Sequence, residues 1–161
     1  MRREDITLTV SGTGWPDTND DPVQPTLSFR LDGATATLSD HLRTEDGDPL
    51  EADETDVTVR LHADLQEPEA TGVVAVTNRI TGEYVLECNA EAETILGFVR
   101  AARRYGEATD DDALYRVQLR AGDGPDAGTA VATYEKRTLL VYGDTGELLR
   151  EHSLIPSGVE I

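Results

Sequence analysis

Residues 73–105, VVAVTNRITGEYVLECNAEAETILGFVRAARRY, contain the two patterns that decide the fold. Residues 73–77 are apolar and β-prone, and residues 84–88 alternate between two faces, as a half-buried strand does. The segment between them, residues 78–82, contains the Asn and Gly typical of a tight turn. The stretch therefore predicts a β-hairpin. On this alternation Cys88 shares a face with Tyr84 and Leu86, and we expect its thiol to be buried and unreactive.

The second pattern is helical and covers residues 90–105. Its apolar residues recur three and four positions apart and form one stripe: Ala92, Ile95, Leu96, Val99 and Ala102. Asn89 is a favourable N-cap residue, and Gly106 is the residue type that often ends a helix in the left-handed conformation. The arginines near the end of this segment suit the negative end of the helix dipole.

The remaining sequence adds shorter elements on both sides of this stretch. A second helix is predicted over residues 34–44, from Ala34, Leu38 and Leu42. Further strands are predicted over residues 6–10, 26–31, 57–61, 113–120, 129–135 and 137–142, and a turn at 143–146 leads into 147–155. This order predicts a single α+β domain over residues 1–161, with a mostly antiparallel sheet and two helices packed on one of its faces.

The charge is the strongest compositional feature. The 161 residues include 32 Asp and Glu against 14 Lys and Arg, a net charge of −18, and Lys136 is the single lysine. Molar salt shortens the Debye length to about 3 Å, so it screens repulsion among the carboxylates. We therefore expect a halophilic protein. The N-terminus has no apolar signal region, and no apolar run approaches the roughly 20 residues of a membrane helix, so we expect a cytoplasmic location.

Recognised catalytic and metal-binding motifs are missing from the sequence. The glycine-rich residues 122–128 lack the lysine and the following helix of a phosphate-binding loop. Residues 17–28 begin with the spacing of a calcium loop but lack its Gly and its final Glu. The three histidines and Cys88 do not have zinc-ligand spacing. We assign no catalytic residue, cofactor or metal, although 32 acidic residues can conceal a catalytic carboxylate pair.

The acidic character is interrupted in one segment. Residues 95–105 contain three arginines and no acid, and residues 113–142 carry a net charge of +1. Arginine and aromatic residues are favoured at protein interfaces. We therefore predict a partner contact on this helix; its residues are Phe98, Arg100, Arg103, Arg104 and Tyr105. In this interpretation Phe98 lies off the core stripe. The alternative is that the arginines pair within the chain, with Glu107 or with residues 110–112.

The C-terminal segment, residues 148–161, is unusually apolar for a chain end. We expect it to dock on the sheet or to serve as an extended ligand. Either arrangement would remove its apolar side chains from water.

Four segments resemble a small haloarchaeal family of unknown function. They are DETDV at 53–57, TGVVAVTNR at 71–79, YEKRTLLVY at 134–142 and SLIPSGVEI at 153–161. The resemblance spans nearly the whole chain and implies an origin in a high-salt archaeon. It brings no catalytic or binding residues with it.

We therefore predict a non-enzymatic interaction or regulatory module. The expected partner is a second copy of the chain or an acidic protein, because the patch is rich in arginine. We do not expect nucleic acid as a partner, because a net charge of −18 opposes a phosphate backbone. The alternative function is a small-molecule enzyme with a carboxylate-based site, which a deep pocket lined by two or more acids and a histidine would favour.

Overall fold

The computed structural model describes residues 6–18, 21–31, 50–51, 54–62, 70–111, 113–121 and 129–155. Eight strands are present in these segments: β1 (Ile6–Ser11), β2 (Thr26–Leu31), β3 (Thr55–Leu61), β4 (Thr71–Asn78), β5 (Tyr84–Glu91), β6 (Tyr115–Ala121), β7 (Thr129–Lys136) and β8 (Leu140–Tyr142). The helices are the four-residue α1 (Trp15–Thr18), the long α2 (Ala92–Ala108) and a 3-10 turn at Arg150–His152.

The strands form two four-stranded sheets, each of which is assembled from distant parts of the chain. The first sheet has the order β1-β2-β6-β7, and the second has the order β5-β4-β3-β8. Each sheet contains one parallel pairing, β2 with β6 and β3 with β8, and its other pairings are antiparallel. The chain thus leaves the first sheet after β2, builds most of the second, and returns to the first after α2.

The apolar faces of both sheets contribute to one cluster of buried residues, together with α2. The helix connects β5 of the second sheet to β6 of the first. Its Phe98 packs edge-on against Tyr115 of β6, with 5.3 Å between the ring centroids. At the junction of the two sheets, Lys136 donates a hydrogen bond from Nζ to the carbonyl of Thr55, at 2.6 Å.

The predicted arrangement of two helices on one face of a single, mostly antiparallel sheet is wrong. The described residues form two mixed sheets with one long helix. The helix predicted over residues 34–44 lies outside them. Alternation shows which face of a strand is buried, but it does not show which strand is its neighbour. That is why the individual strands were predictable and their division between two sheets was not.

The hairpin prediction is confirmed, with β4 and β5 joined through residues 79–83. The second predicted turn, at residues 143–146, is also present. Gly82 and Gly146 occupy equivalent positions in the two turns, with φ of +77° and +88°. Glycine tolerates this left-handed conformation, which other residues adopt at a cost.

Helix α2 differs from its prediction in register and in both ends. Its buried residues are Ala92, Ile95, Phe98, Val99, Ala101 and Ala102, whereas Leu96 is only half-buried. The N-cap is Glu91 rather than Asn89, and it makes no side-chain capping bond. The helix continues through Gly106, which is not in the left-handed conformation, and ends at Ala108.

The described part of the C-terminal segment docks on the second sheet, as expected. Leu154 is buried and exchanges two backbone hydrogen bonds with Leu139, at 3.0 and 2.8 Å. The Ser153 hydroxyl accepts the Val141 amide and donates to the Leu149 carbonyl, each at 2.8 Å. No helix among the described residues is long and apolar enough to cross a membrane.

Candidate functional site

The predicted contact residues on α2 occupy different environments. Phe98 is fully buried against Tyr115, so the expectation that it lies off the core stripe is wrong. The sequence pattern did not distinguish Phe98 from Leu96, because both are apolar. In the structure Phe98 faces Tyr115 and is buried. Phe98 therefore supplies no apolar surface to a partner.

The polar members of this set make contacts within the chain. Arg103 donates from Nη2 to the carbonyls of Glu151 and Ser153, each at 2.7 Å, and so holds the C-terminal segment against the helix. Arg104 forms an exposed ion pair with Glu107 at 3.8 Å. The Tyr105 hydroxyl donates to Asp111 at 2.8 Å. Arg100 is exposed and also makes an interaction. Whether these residues contact a partner stays a prediction.

An open groove of about 420 Å³ lies on the outer face of the second sheet. Its described lining comes from four segments of the chain and is made of Thr58, Arg60, Leu61, His62, Val73, Ala75, Tyr84, Glu87 and Asp144. The volume is within the range of about 300–1,000 Å³ for small-molecule sites. Basic, acidic, hydroxyl and aromatic side chains therefore surround one concave surface.

The groove follows from the size of the side chains along β4. Val73 and Ala75 point away from the core, and they are flanked by longer residues of β3 and β5. Arg60 is the β3 partner of Val73, and Glu87 is the β5 partner of Ala75. Val73 and Ala75 form the floor of the groove. Both are buried, yet neither belongs to the main core cluster. The sheet thus has a strip of buried apolar surface outside its core.

A β-bulge brings Tyr84 to this face. The register of β4 and β5 shifts at Val76/Thr77, so that Leu86 pairs with Val76 but Tyr84 pairs with Thr77. Val85 is the inserted residue and is buried. Tyr84 is 59% exposed, whereas Leu86 and Cys88 are buried. The prediction that Tyr84 shares the face of Leu86 and Cys88 is therefore wrong, and bulges re-aim side chains in this way at functional sites.

Charged groups lie at both sides of the groove. Within the part of the chain that the structure describes, neither Arg60 nor Asp144 makes a side-chain hydrogen bond or ion pair. His62 lies beside Thr71, with 3.4 Å between Nδ1 and Oγ1. Glu87 takes part in a further interaction. Arg60 and Asp144 can therefore contact a ligand without first breaking a described contact.

The outer face of the first sheet has a different character. Its outward side chains include three arginines, Arg30, Arg116 and Arg120, and one acid, Glu135; the other described ones are Ser, Thr and Gln. Arg116 pairs with Glu135 at 2.9 Å. In a chain with more than twice as many acidic as basic residues, this face is poor in carboxylates.

Other candidate groups have structural surroundings. Cys88 is buried as predicted, and its burial raises the pKa of the thiol, which disfavours the reactive thiolate. Of the histidines, His62 and His152 are described, and His152 lies 3.7 Å from Glu151. No group of three or more His, Cys, Asp or Glu side chains within the described segments is arranged to hold a metal ion.

Sequence reasoning missed the groove because its residues are dispersed. Arg60, Glu87 and Asp144 come from three segments that share no motif or spacing. One signal was available: strand alternation places Thr58 and Arg60 on the polar face of β3. The small residues on β4 that form the floor look like ordinary strand residues.

The family of the chain is known, although its function is not. A family model described as "Family of unknown function (DUF5793)" matches residues 1–161, so the chain belongs to that family. No curated protein and no solved structure matches the chain.

Proposed function

We propose that this member of the DUF5793 family is a non-enzymatic binding module that holds a small polar ligand in the groove of the second sheet. The observation that carries the proposal is the strip of Val73 and Ala75, which is buried outside the core and is bordered by Arg60 of β3 and Glu87 of β5. Concave surfaces with an apolar floor and a few converging polar groups are the usual form of ligand sites.

The acidic composition of the chain supports a high-salt cell interior as the setting for this module. With 32 acidic residues and one lysine, the surface is suited to multimolar salt. We propose a halophilic, cytoplasmic protein of haloarchaeal origin. In that setting a ligand must be held by shape and short-range contacts, because long-range attraction is screened.

The test is a thermal-shift screen of polar metabolites in molar KCl, with an Ala75→Leu variant that fills the floor of the groove. The matched control is Ser28→Leu, which adds a similar side chain to an outward position of the first sheet. We expect a ligand that stabilises the wild type and Ser28→Leu but not Ala75→Leu. Equal stabilisation of all three proteins would contradict binding in the groove.

The second candidate function is an enzyme, and the observation that favours it is the presence of His62, Glu87 and Asp144 around the same groove. Such groups can act as general acids and bases when they reach the reacting atoms. The two functions differ in the state of the ligand after incubation. Recovery of an unchanged ligand supports the binding module, whereas conversion that His62→Ala abolishes supports the enzyme.

We also propose an acidic protein, or a second copy of this chain, as the macromolecular partner. Arg100 and Arg104 are exposed on α2, and Arg guanidinium groups pair well with carboxylates. Light scattering and pull-downs in molar KCl on the wild type and on an Arg100→Glu, Arg104→Glu variant test this contact. The proposal is contradicted if the wild type is a monomer and the pull-down recovers no protein that the variant fails to bind. The arginines would then pair only within the chain.

A further inference from the structure

We infer that the groove on the second sheet selects a small zwitterion of the α-amino acid class. The inference rests on the proposed function and names the ligand of that same site. It follows from the kinds of charge around the groove, from their spacing, and from the apolar floor between them.

The charges around the groove are of both signs. Arg60 provides a cation, and Asp144 and Glu87 provide anions. Arg60 and Asp144 line the same surface without pairing with each other, and neither makes a side-chain hydrogen bond or ion pair elsewhere among the described residues. A ligand with a carboxylate and an ammonium group can satisfy both. The carboxylate would accept two parallel hydrogen bonds from the guanidinium of Arg60.

The sheet register places the opposite charges at a suitable separation. Arg60 and Glu87 lie on strands that flank β4, and they are offset by two residues, at the levels of Val73 and Ala75. With about 4.8 Å between strands and about 3.3 Å per residue, their backbones are about 12 Å apart. Asp144 follows Tyr142, the β8 partner of Arg60, by two residues. Side chains that reach inward over this distance leave room for one small molecule.

The apolar floor of the groove and the ring of Tyr84 would contact the uncharged part of the ligand. Val73 and Ala75 offer apolar contact to an aliphatic side chain, and the exposed ring of Tyr84 can cover it. A volume of about 420 Å³ is near the lower end for ligand sites, which favours a molecule of one or two residues over a larger metabolite.

Ligands of a single charge fit this groove less well. A phosphate or dicarboxylate would face Asp144 and Glu87, and like charges at short range are unfavourable. A simple amine would leave Arg60 without a carboxylate while placing a second cation near it. A ligand with both charges avoids these repulsions, and unlike an uncharged ligand it also makes charge-assisted contacts with both kinds of side chain.

Three probes of similar size separate these cases: leucine, leucinamide and 4-methylpentanoate. Leucine carries both charges, leucinamide lacks the carboxylate, and 4-methylpentanoate lacks the ammonium group. We would measure their affinities by calorimetry in molar KCl. We expect leucine to bind at least about tenfold more tightly than either analogue, because each loses one charge-assisted hydrogen-bonded contact.

Variants of the groove then assign each charge. Arg60→Gln should remove the preference for leucine over leucinamide. The double variant Asp144→Asn, Glu87→Gln should remove the preference for leucine over 4-methylpentanoate. Arg116→Gln, which deletes a guanidinium from the outer face of the first sheet, is the matched control and should leave all three affinities unchanged.

The outcomes distinguish this inference from the proposed function. If either analogue binds as tightly as leucine, or if none of the three binds at millimolar concentration, the zwitterion inference is overturned. The proposed function survives that result if another polar ligand stabilises the wild type but not Ala75→Leu. It fails together with the inference if filling the groove has no effect on any ligand found.

Discussion

Arg103 and Arg104 are neighbours on α2, but their side chains make different contacts. The guanidinium of Arg103 bonds two backbone carbonyls near the chain end, whereas Arg104 makes a loose ion pair one helical turn away. Two identical residues therefore have different expected contributions to stability. The difference depends on what lies opposite each of them and cannot be seen in the sequence.

We predict that Arg103→Ala lowers the free energy of unfolding by about 1–2 kcal/mol, since both charge-assisted bonds to the C-terminal segment are lost. Arg104→Ala, the matched control, should change it by no more than about 0.5 kcal/mol because exposed pairs contribute little. Urea denaturation in molar KCl measures both. Equal effects of the two substitutions would show that the bonds of Arg103 do not contribute.

Tyr134 makes the stability of the protein sensitive to alkaline pH. Burial of its side chain on β7 is the main cause that raises the pKa of its hydroxyl to about 12. The unfolded chain loses this proton near pH 10. Between pH 10 and 12 the unfolded state therefore binds fewer protons than the folded state, and stability falls as pH rises.

We predict that the wild type loses about 2–3 kcal/mol of stability through Tyr134 by pH 12, since each pKa unit corresponds to about 1.4 kcal/mol. Tyr134→Phe should show a smaller loss between pH 9 and pH 11.5, measured by urea denaturation at each pH. The same loss in both proteins would contradict this account.

Within helix α2, the two glycines differ in the space that is available for a side chain. A Cβ at Gly97 would meet open space, whereas a Cβ at Gly106 would lie 2.5 Å from Cδ2 of Leu114. The sequence suggests a helix stop at Gly106. The structure shows a close approach of the segment before β6 instead.

Gly97→Ala should stabilise the protein by about 0.5–1 kcal/mol, because alanine restricts the unfolded chain and favours a helix. Gly106→Ala should gain less or nothing, since Leu114 must move to make room. Thermal unfolding of both variants gives the comparison. If Gly106→Ala stabilises as much as Gly97→Ala, the contact with Leu114 does not constrain this position.

Local patterns predicted the elements better than their details. The hairpin of β4 and β5 was recognisable because apolar alternation surrounds a turn sequence. The bulge at Val85 was not, since the inserted residue is as apolar as its neighbours. The register of α2 depended on whether Leu96 or Phe98 faces Tyr115, which is a contact between distant segments. The groove was hidden for the same reason, because four separate segments line it.

At the scale of the whole molecule, the charge predicts that folding depends on salt. We expect the midpoint of thermal unfolding to rise from low to molar KCl and to continue rising after Debye screening is complete, because the net charge is −18. Tetramethylammonium chloride at equal ionic strength is the control for screening alone. A midpoint that does not change over this range would contradict the halophilic interpretation.

The return of the chain to the first sheet after α2 has a consequence for how the protein is made. A ribosome that has synthesised residues through Ala108 has released β1 and β2 without the neighbouring β6 and β7, and β3 without β8. Neither sheet is complete at that stage, and the strands still missing include the parallel partner in each sheet, β6 in the first and β8 in the second. Non-local pairings of this kind make folding slow, and exposed strand edges invite aggregation. The nascent chain must therefore stay in solution until β8 emerges, and we expect the hydration of its many carboxylates to contribute to this, since repulsion between neighbouring chains is screened at molar salt.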